Sequence, residues 1–146
     1  PPPSTPSSAA SDVYKRQTTH LAAWVTAYIE IKGESAVAEI ESAYLSNSDR
    51  TSEEIRAVLT ALSVHGRSGC TELRVRIVQS YEVALQFHRE FAGLIAADLT
   101  EWRQGQFIDV FKDLLTNERR TFQSDDIKAM RRYISAAIST QPIPPK

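Results

Sequence analysis

The sequence contains little cysteine, methionine or glycine for its 146 residues: Cys70 and Met130 are single occurrences, and there are five glycines. A lone cysteine excludes a disulfide within the chain and fits a reducing compartment better than an oxidising one. No stretch approaches the roughly 18 consecutive apolar residues that suggest a membrane-spanning helix. The formal charge of −1 gives no overall preference for nucleic acid or an anionic membrane.

What the sequence does contain is helical periodicity. No segment shows the strict two-residue alternation of a half-buried strand, so we predict an all-α fold. In the first helix an apolar stripe at helical spacing predicts a buried face: Leu21, Trp24, Val25, Tyr28 and Ile29. The helices are predicted over residues 19–32, 35–45, 52–65, 71–89, 90–99, 106–115 and 124 to shortly before Pro142. The segment 90–99 is either a short packed helix or a bent continuation of the preceding one.

Several helix ends carry capping signals. Gly33 stands where a left-handed C-cap would end the first helix. Thr51 and Glu54 match the capping-box pattern, in which the Thr hydroxyl accepts from the amide three residues later. Ser124 supplies a cap for the last helix, and the acids that follow it are favoured by the helix dipole.

We divide the chain into a leader (1–17), a helical domain (18–140) and a Pro-rich tail (141–146). Residues 7–17, SSAASDVYKRQ, resemble codon for codon a translated transposase adapter used in preparing DNA sequencing libraries. This resemblance implies that the leader is not native and does not pack on the core. The chain is then expected to be a fragment that lacks its true N-terminus, which resequencing the source DNA across this junction would test.

Three local motifs lie in the helical domain. Residues 24–45 contain Tyr-Ile-x-x-Lys-Gly, residues 55–66 end in Ala-Leu-x-x-His-Gly, and residues 94–115 contain Asp-Leu-x-x-Trp. These segments resemble a HEAT-like helical region of large, uncharacterised bacterial proteins, over most of residues 20–115. The resemblance implies antiparallel helix pairs stacked as an α-solenoid, and a compact helical bundle is the alternative. It implies no activity.

The residue types that could supply a nucleophile, a base or soft metal ligands lack motif spacing. We predict that Cys70 is packed near a helix start, that His88 lies on a helix face, and that His65 lies near a helix C-terminus. The segment Gly66–Gly69 is predicted to be a turn, because no strand precedes it as a phosphate loop or nucleophile elbow would require. We therefore predict no catalytic, cofactor or metal site.

A distinctive cluster follows the fifth predicted helix. Asp98, Leu99 and Trp102 are predicted to form a structural junction, with Trp102 buried as a wedge between helix pairs. The alternative is that Trp102 anchors a binding partner. Glu101 and Asp109 are eight residues apart and lack the sheltered, opposed arrangement that paired catalytic carboxylates require.

Basic residues gather towards the C-terminus and form a candidate basic patch: Lys112, Arg119, Arg120, Lys128, Arg131 and Arg132. Four acids are interleaved with them: Asp113, Glu118, Asp125 and Asp126. We interpret this mixture as a solvated, salt-bridged face. Contact with nucleic-acid phosphates is the alternative.

The sequence favours a non-enzymatic helical-repeat scaffold or protein-interaction segment, because helical repeats offer extended surfaces and no reactive constellation is visible. The expected partners are another protein or neighbouring repeats of the same chain. An accessory helical domain of an enzyme, with the catalytic residues elsewhere, is the alternative. Weak nucleic-acid binding through the basic patch is a third hypothesis.

Overall fold

A computed structural model describes residues 20–140, and every regular element in this range is helical. The all-α prediction is therefore confirmed for these residues. The adapter-like leader (1–17) and the Pro-rich tail (141–146) lie outside the described residues. The chain divides into two compact units between Val83 and Ala84.

The first unit contains helices α1 to α3 and most of α4. Their bounds are residues 20–32 for α1, Glu34–Ile40 for α2, Ser52–Ser68 for α3 and Thr71–Phe87 for α4. Helix α2 continues directly into a π-helical turn, Glu41–Leu45. The core of this unit is mainly aliphatic and includes Val25, Ile29, Val37, Ile40, Leu45, Ile55, Leu59, Leu62, Ile77 and Tyr81.

A single residue, Gly33, separates α1 from α2. Its amide donates to the carbonyl of Ile29 at 2.7 Å, and its own carbonyl accepts from the amide of Ala36 at 3.1 Å. The predicted glycine end is confirmed, with φ at 62°, but ψ at −132° lies outside the left-handed helical region. Because this backbone conformation strains residues that carry a Cβ, glycine suits this corner.

The predicted cap of α3 by the Thr51 hydroxyl is confirmed. The amide of Glu54 donates to the Thr51 hydroxyl oxygen at 3.2 Å, and that hydroxyl lies 3.2 Å from the Glu54 carboxylate. Arg50 donates to the same carboxylate at 3.0 Å. The start of α3 is therefore fixed by neighbouring side chains as well as by the helix ladder.

The end of α3 corrects the predicted turn over Gly66–Gly69. Residues 66–68 form the last turn of α3, and the helix ends at Gly69. Arg74 of α4 donates through Nε to the carbonyl of Gly66 at 2.7 Å and through Nη2 to that of Arg67 at 3.4 Å. These contacts satisfy carbonyls that have no partner within the helix, so the helix extends past its first glycine.

The second unit contains three further helices and two short 3-10 turns. In chain order after α4 these are the 3-10 turn Arg89–Phe91, α5 Ala92–Glu101, α6 Ile108–Asn117, the 3-10 turn Arg119–Thr121 and α7 Ser124–Thr140. Helix α7 packs against both α5 and α6. The buried side chains include Ile95, Leu99, Trp102, Phe107, Phe111, Leu114, Met130 and Tyr133.

The predicted fourth helix ends early. Helix α4 stops at Phe87, two residues before the predicted end, because His88 leaves the helical region with φ at −138° and ψ at 61°. The following segment is therefore a separate short helix, α5, which was one of the two alternatives. His88 lies at this break and is buried, so its predicted place on a helix face is wrong.

Gly93 marks a close approach of α5 and α7. A Cβ added at Gly93 would lie 2.7 Å from the Cα of Asp126, a separation that real side chains do not tolerate. Glycine in a helix costs about 1 kcal/mol relative to alanine. The packing of the two backbones therefore explains a helix-weakening residue at this buried position.

Candidate functional site

Helix α1 is apolar on two opposite sides. Val25 and Ile29 are buried in the first unit, whereas Trp24 is 53% exposed and Ile31 is 81% exposed. Since successive residues are about 100° apart around a helix, Ile31 points away from Ile29, and Trp24 lies beside Ile31. The prediction that Trp24 belongs to the buried stripe is therefore wrong.

The exposed side of α1 forms a regular stripe, here termed the outer seam: His20, Trp24, Ala27 and Ile31. All four residues are exposed, and their spacings are four, three and four residues. This is the spacing of the a and d positions through which two helices interlock in a coiled coil. The outer seam therefore has the residue spacing of a helix-packing surface and is exposed in this structure.

Neighbouring side chains hold the central aromatic residue of the outer seam. The ring of Trp24 stacks on that of Tyr28, with centroids 5.0 Å apart and planes inclined by 14°. Tyr28 donates its hydroxyl hydrogen to the Glu39 carboxylate, and the Lys32 ammonium lies 5.1 Å from the Tyr28 ring centroid. The Tyr28 hydroxyl raises the pKa of Lys32, with a smaller contribution from Glu39. The exposed indole is thus partly ordered before any partner arrives, which lowers the entropic cost of binding.

A half-buried polar network lies at the π-helical turn in the same unit. Arg76 donates through its two terminal nitrogens to the Glu41 carboxylate, at 3.1 and 3.3 Å. The buried Ser80 hydroxyl donates to the same carboxylate at 3.0 Å. Sequence reasoning missed this network, because a charged residue on an amphipathic helix is expected to face solvent. The spacing of Arg76 and Ser80, four residues apart on one helix, was the available signal.

The three predicted nucleophile, base or metal-ligand candidates have separate surroundings. Cys70 is exposed just before α4, so its predicted packing is wrong. His65 lies near the C-terminus of α3, as predicted, and is also buried. Its Nε2 donates to the carbonyl of Thr26 in α1 at 3.1 Å. His88 is 3.9 Å from the exposed Glu90 carboxylate. The hydrogen bond from His65 to the carbonyl of Thr26 joins α3 to α1, so His65 has a packing role.

The Asp98, Leu99 and Trp102 cluster is a helix C-terminus. The amide of Gln104 donates to the carbonyl of Leu99 at 2.9 Å, and the amide of Arg103 donates to that of Thr100 at 3.2 Å. Arg103 adopts a φ of 57°. These bonds form a Schellman motif with arginine at the position where glycine is usual. Trp102 is 6% exposed, so its predicted burial is confirmed.

Tyr133 of α7 holds the loop that follows this motif. Its hydroxyl accepts from the amide of Phe107 at 2.9 Å and donates to the carbonyl of Gln104. Its ring meets Phe111 edge to face, with centroids 4.8 Å apart. Burial raises the pKa of Tyr133, and the hydrogen bond from Phe107 opposes this effect in part. One phenol therefore fastens both ends of the loop to α7.

An open groove of about 630 Å³ lies between α5 and α7. Its lining combines small, acidic and basic residues: Ala97, Thr100, Glu101, Asp125, Lys128, Ala129 and Arg132. Asp109 lines a different depression, together with Lys112 and Ile138. The structure therefore does not bring Glu101 and Asp109 together in one site.

The candidate basic patch is dispersed. All six basic residues are exposed, and only Lys128 and Arg132 line the groove together. None of the six side chains forms an ion pair or hydrogen bond with another residue in the range 20–140. Among the interleaved acids, Glu118 instead pairs with Arg89 at 2.8 Å. The six basic side chains are solvent-exposed, as the sequence interpretation expects, and the ion pair formed by Glu118 uses a cation outside the patch.

Searches of residues 20–140 for a metal site find no group of three or more His, Cys, Asp or Glu side chains suitably placed. Across the same described range, no helix has the length and apolar character needed to cross a membrane. Comparison of the chain with protein-family models, curated proteins and solved structures gives no match.

Proposed function

We propose that this chain is a non-enzymatic helical scaffold that binds another protein segment through the outer seam of α1. The observation that carries the proposal is the exposure of Trp24 and Ile31 on the side of α1 opposite its buried residues. A helix that is apolar on both sides is normally covered on both sides. Tryptophan is also among the residues that most often dominate binding energy at protein interfaces.

The HEAT-like interpretation supplies one class of partner for this seam. Stacked helical repeats bury the apolar faces that each repeat leaves exposed by itself, so an adjoining repeat of the same polypeptide would cover the outer seam. The tight corner at Gly33, which joins α1 to α2 through one residue, supports a helical hairpin of this kind.

Photo-cross-linking in living cells tests the proposal. A cross-linking phenylalanine derivative would replace Trp24 in the full chain, and the matched control would carry it at Ile138, which is 51% exposed on α7. We expect protein adducts from position 24 in clear excess over those from position 138. Equal or absent adducts from position 24 would contradict binding through the outer seam.

Nucleic-acid binding is a second candidate function, and the six exposed cations that make no ion pair within residues 20–140 favour it. Cations of this kind can neutralise phosphates, with binding that weakens steeply as salt increases. Mobility shift at low and moderate salt tests this candidate, with Lys128→Glu/Arg132→Glu as the variant. The absence of a complex at low salt would exclude it.

An accessory helical role in an enzyme is the further alternative. The complete reading frame distinguishes the two hypotheses. A catalytic domain in the same frame would favour the accessory role, and a frame of further helical repeats would favour the scaffold.

A further inference from the structure

We propose that the outer seam of α1 pairs, in antiparallel orientation, with the outer seam of a second copy of this chain. The inference rests on the proposed function and names the partner. His20, Trp24, Ala27 and Ile31 follow the four-three-four spacing of a coiled-coil seam, and all four are exposed. A seam of this kind is completed by a second helix with the same spacing.

The antiparallel register makes the seam complementary to itself. Antiparallel helices place a positions opposite d positions, so Trp24 of one copy lies against Ala27 of the second copy, and the reverse. The bulky indole then meets the smallest residue of the outer seam, twice around one two-fold axis. Ile31 lies against His20 at each end. A two-fold pairing in which one surface patch meets itself is the commonest symmetry of protein oligomers.

The distribution of charge favours this contact over the other exposed apolar positions. The outer seam contains no Asp, Glu, Lys or Arg, and charged residues are depleted from the centres of protein interfaces. Glu30 borders the seam, and in the antiparallel register it lies near Ala23 of the second copy, so two acids do not meet. Ile138, by contrast, lines a depression together with the charged residues Asp109 and Lys112 of α6.

The exposed area sets the strength of the pair. A tryptophan side chain buries about 150–250 Å² when fully covered, and Trp24 has about half of its surface available. Together with Ile31, Ala27 and the bordering Ala23, each copy offers an exposed apolar area of roughly a few hundred Å². This area is below the roughly 800 Å² per partner of a standard stable interface. We therefore expect a weak dimer that exchanges with the monomer.

Sedimentation equilibrium of the full chain tests the pairing, over about 10 µM to 1 mM, the range in which contacts of this size associate. The average mass should rise from one chain towards two. Ile31→Lys and, independently, Ala27→Glu should leave the chain monomeric throughout, because each buries a charge in the seam. The matched control Ile138→Lys should associate like the parent. Circular dichroism verifies that each variant is folded.

Disulfide trapping tests the orientation in a Cys70→Ser background. His20→Cys and Ile31→Cys lie opposite each other in the antiparallel pair but about 16 Å apart along a parallel one, at 1.5 Å per residue. Mixed variants should form 20-to-31 cross-links faster than links between identical positions. Faster 20-to-20 links would overturn the orientation.

A chain that stays monomeric at every concentration would overturn self-pairing, as would a dimer that survives both seam substitutions. Neither result would refute the proposed scaffold function, since adducts from position 24 with a different protein would still support it. Adducts absent from position 24, together with a monomeric chain, would refute both.

Discussion

The two tryptophans of the chain lie in opposite surroundings. Trp24 lies in the middle of α1 and is 53% exposed, whereas Trp102 caps the end of α5 and is 6% exposed. The sequence predicts burial for both, for Trp24 from its apolar spacing and for Trp102 from its place at a helix junction. Apolar spacing therefore identifies side chains that are suited to burial, but it does not show whether a neighbouring element buries them.

The local backbone explains part of this difference. Trp102 lies at a helix end whose carbonyls are satisfied by the Schellman bonds of Arg103 and Gln104. Trp24 lies within an uninterrupted helix and is supported mainly by its stack on Tyr28. Trp24 therefore belongs to the surface and Trp102 to the core, so substitutions at the two positions should have different effects.

The largest expected effect is that of Trp102→Ala. Truncation of a buried tryptophan leaves a cavity, so the free energy of unfolding should fall by about 3–5 kcal/mol. Trp24→Ala is the matched control, with a change within about 0.5 kcal/mol, as for neutral surface substitutions. Urea denaturation followed by circular dichroism measures both. Equal losses at the two positions would remove the distinction between core and surface.

Gly93→Ala should be the next most damaging change. Alanine is the better helix former by about 1 kcal/mol, but its Cβ would collide with the Cα of Asp126, and overpacking of this kind costs about 1–3 kcal/mol. Gly105→Ala is the control, since its Cβ would meet Ala137 at an ordinary 3.8 Å. Urea midpoints compare the two variants. A stabilised Gly93→Ala protein would show that α5 and α7 are farther apart than described.

Tyr133→Phe should cost about 1–3 kcal/mol, because the buried amide of Phe107 loses its partner. Since burial raises the pKa of Tyr133 in the folded state, its contribution is complete below the unfolded value of about 10 and is lost as pH rises through the folded value. The parent should therefore lose extra stability above about pH 10, and Tyr133→Phe should not. Denaturation at neutral and alkaline pH measures the difference, with Tyr44→Phe as the control that keeps it.

Arg103→Gly should give the smallest effect, and a favourable one. A left-handed conformation costs a residue with a Cβ roughly 1–2 kcal/mol, and the extra flexibility of glycine offsets about half of this. A net gain of about 0.5–1 kcal/mol should appear as a higher thermal midpoint. Arg103→Ala should show no such gain. A loss on Arg103→Gly would mean that the arginine side chain stabilises the helix end.

Local signals predicted local structure well. The Thr51 cap, the corner at Gly33 and the burial of Trp102 each depend on residues close in sequence or on one large side chain, and each is found. The extension of α3 past Gly66 could not be predicted, because it depends on Arg74 of the next helix. The exposure of Trp24 depends on the neighbours that α1 has, and periodicity carries no information about them.

Fluorescence quenching of the two tryptophans tests the central claim most directly. Trp102→Phe leaves Trp24 as the only indole, and Trp24→Phe leaves Trp102. In dilute solution acrylamide should quench Trp24 strongly and Trp102 weakly, and raising the protein concentration should protect Trp24 alone. If Trp24 is as shielded as Trp102 in dilute solution, the outer seam is not an open docking surface.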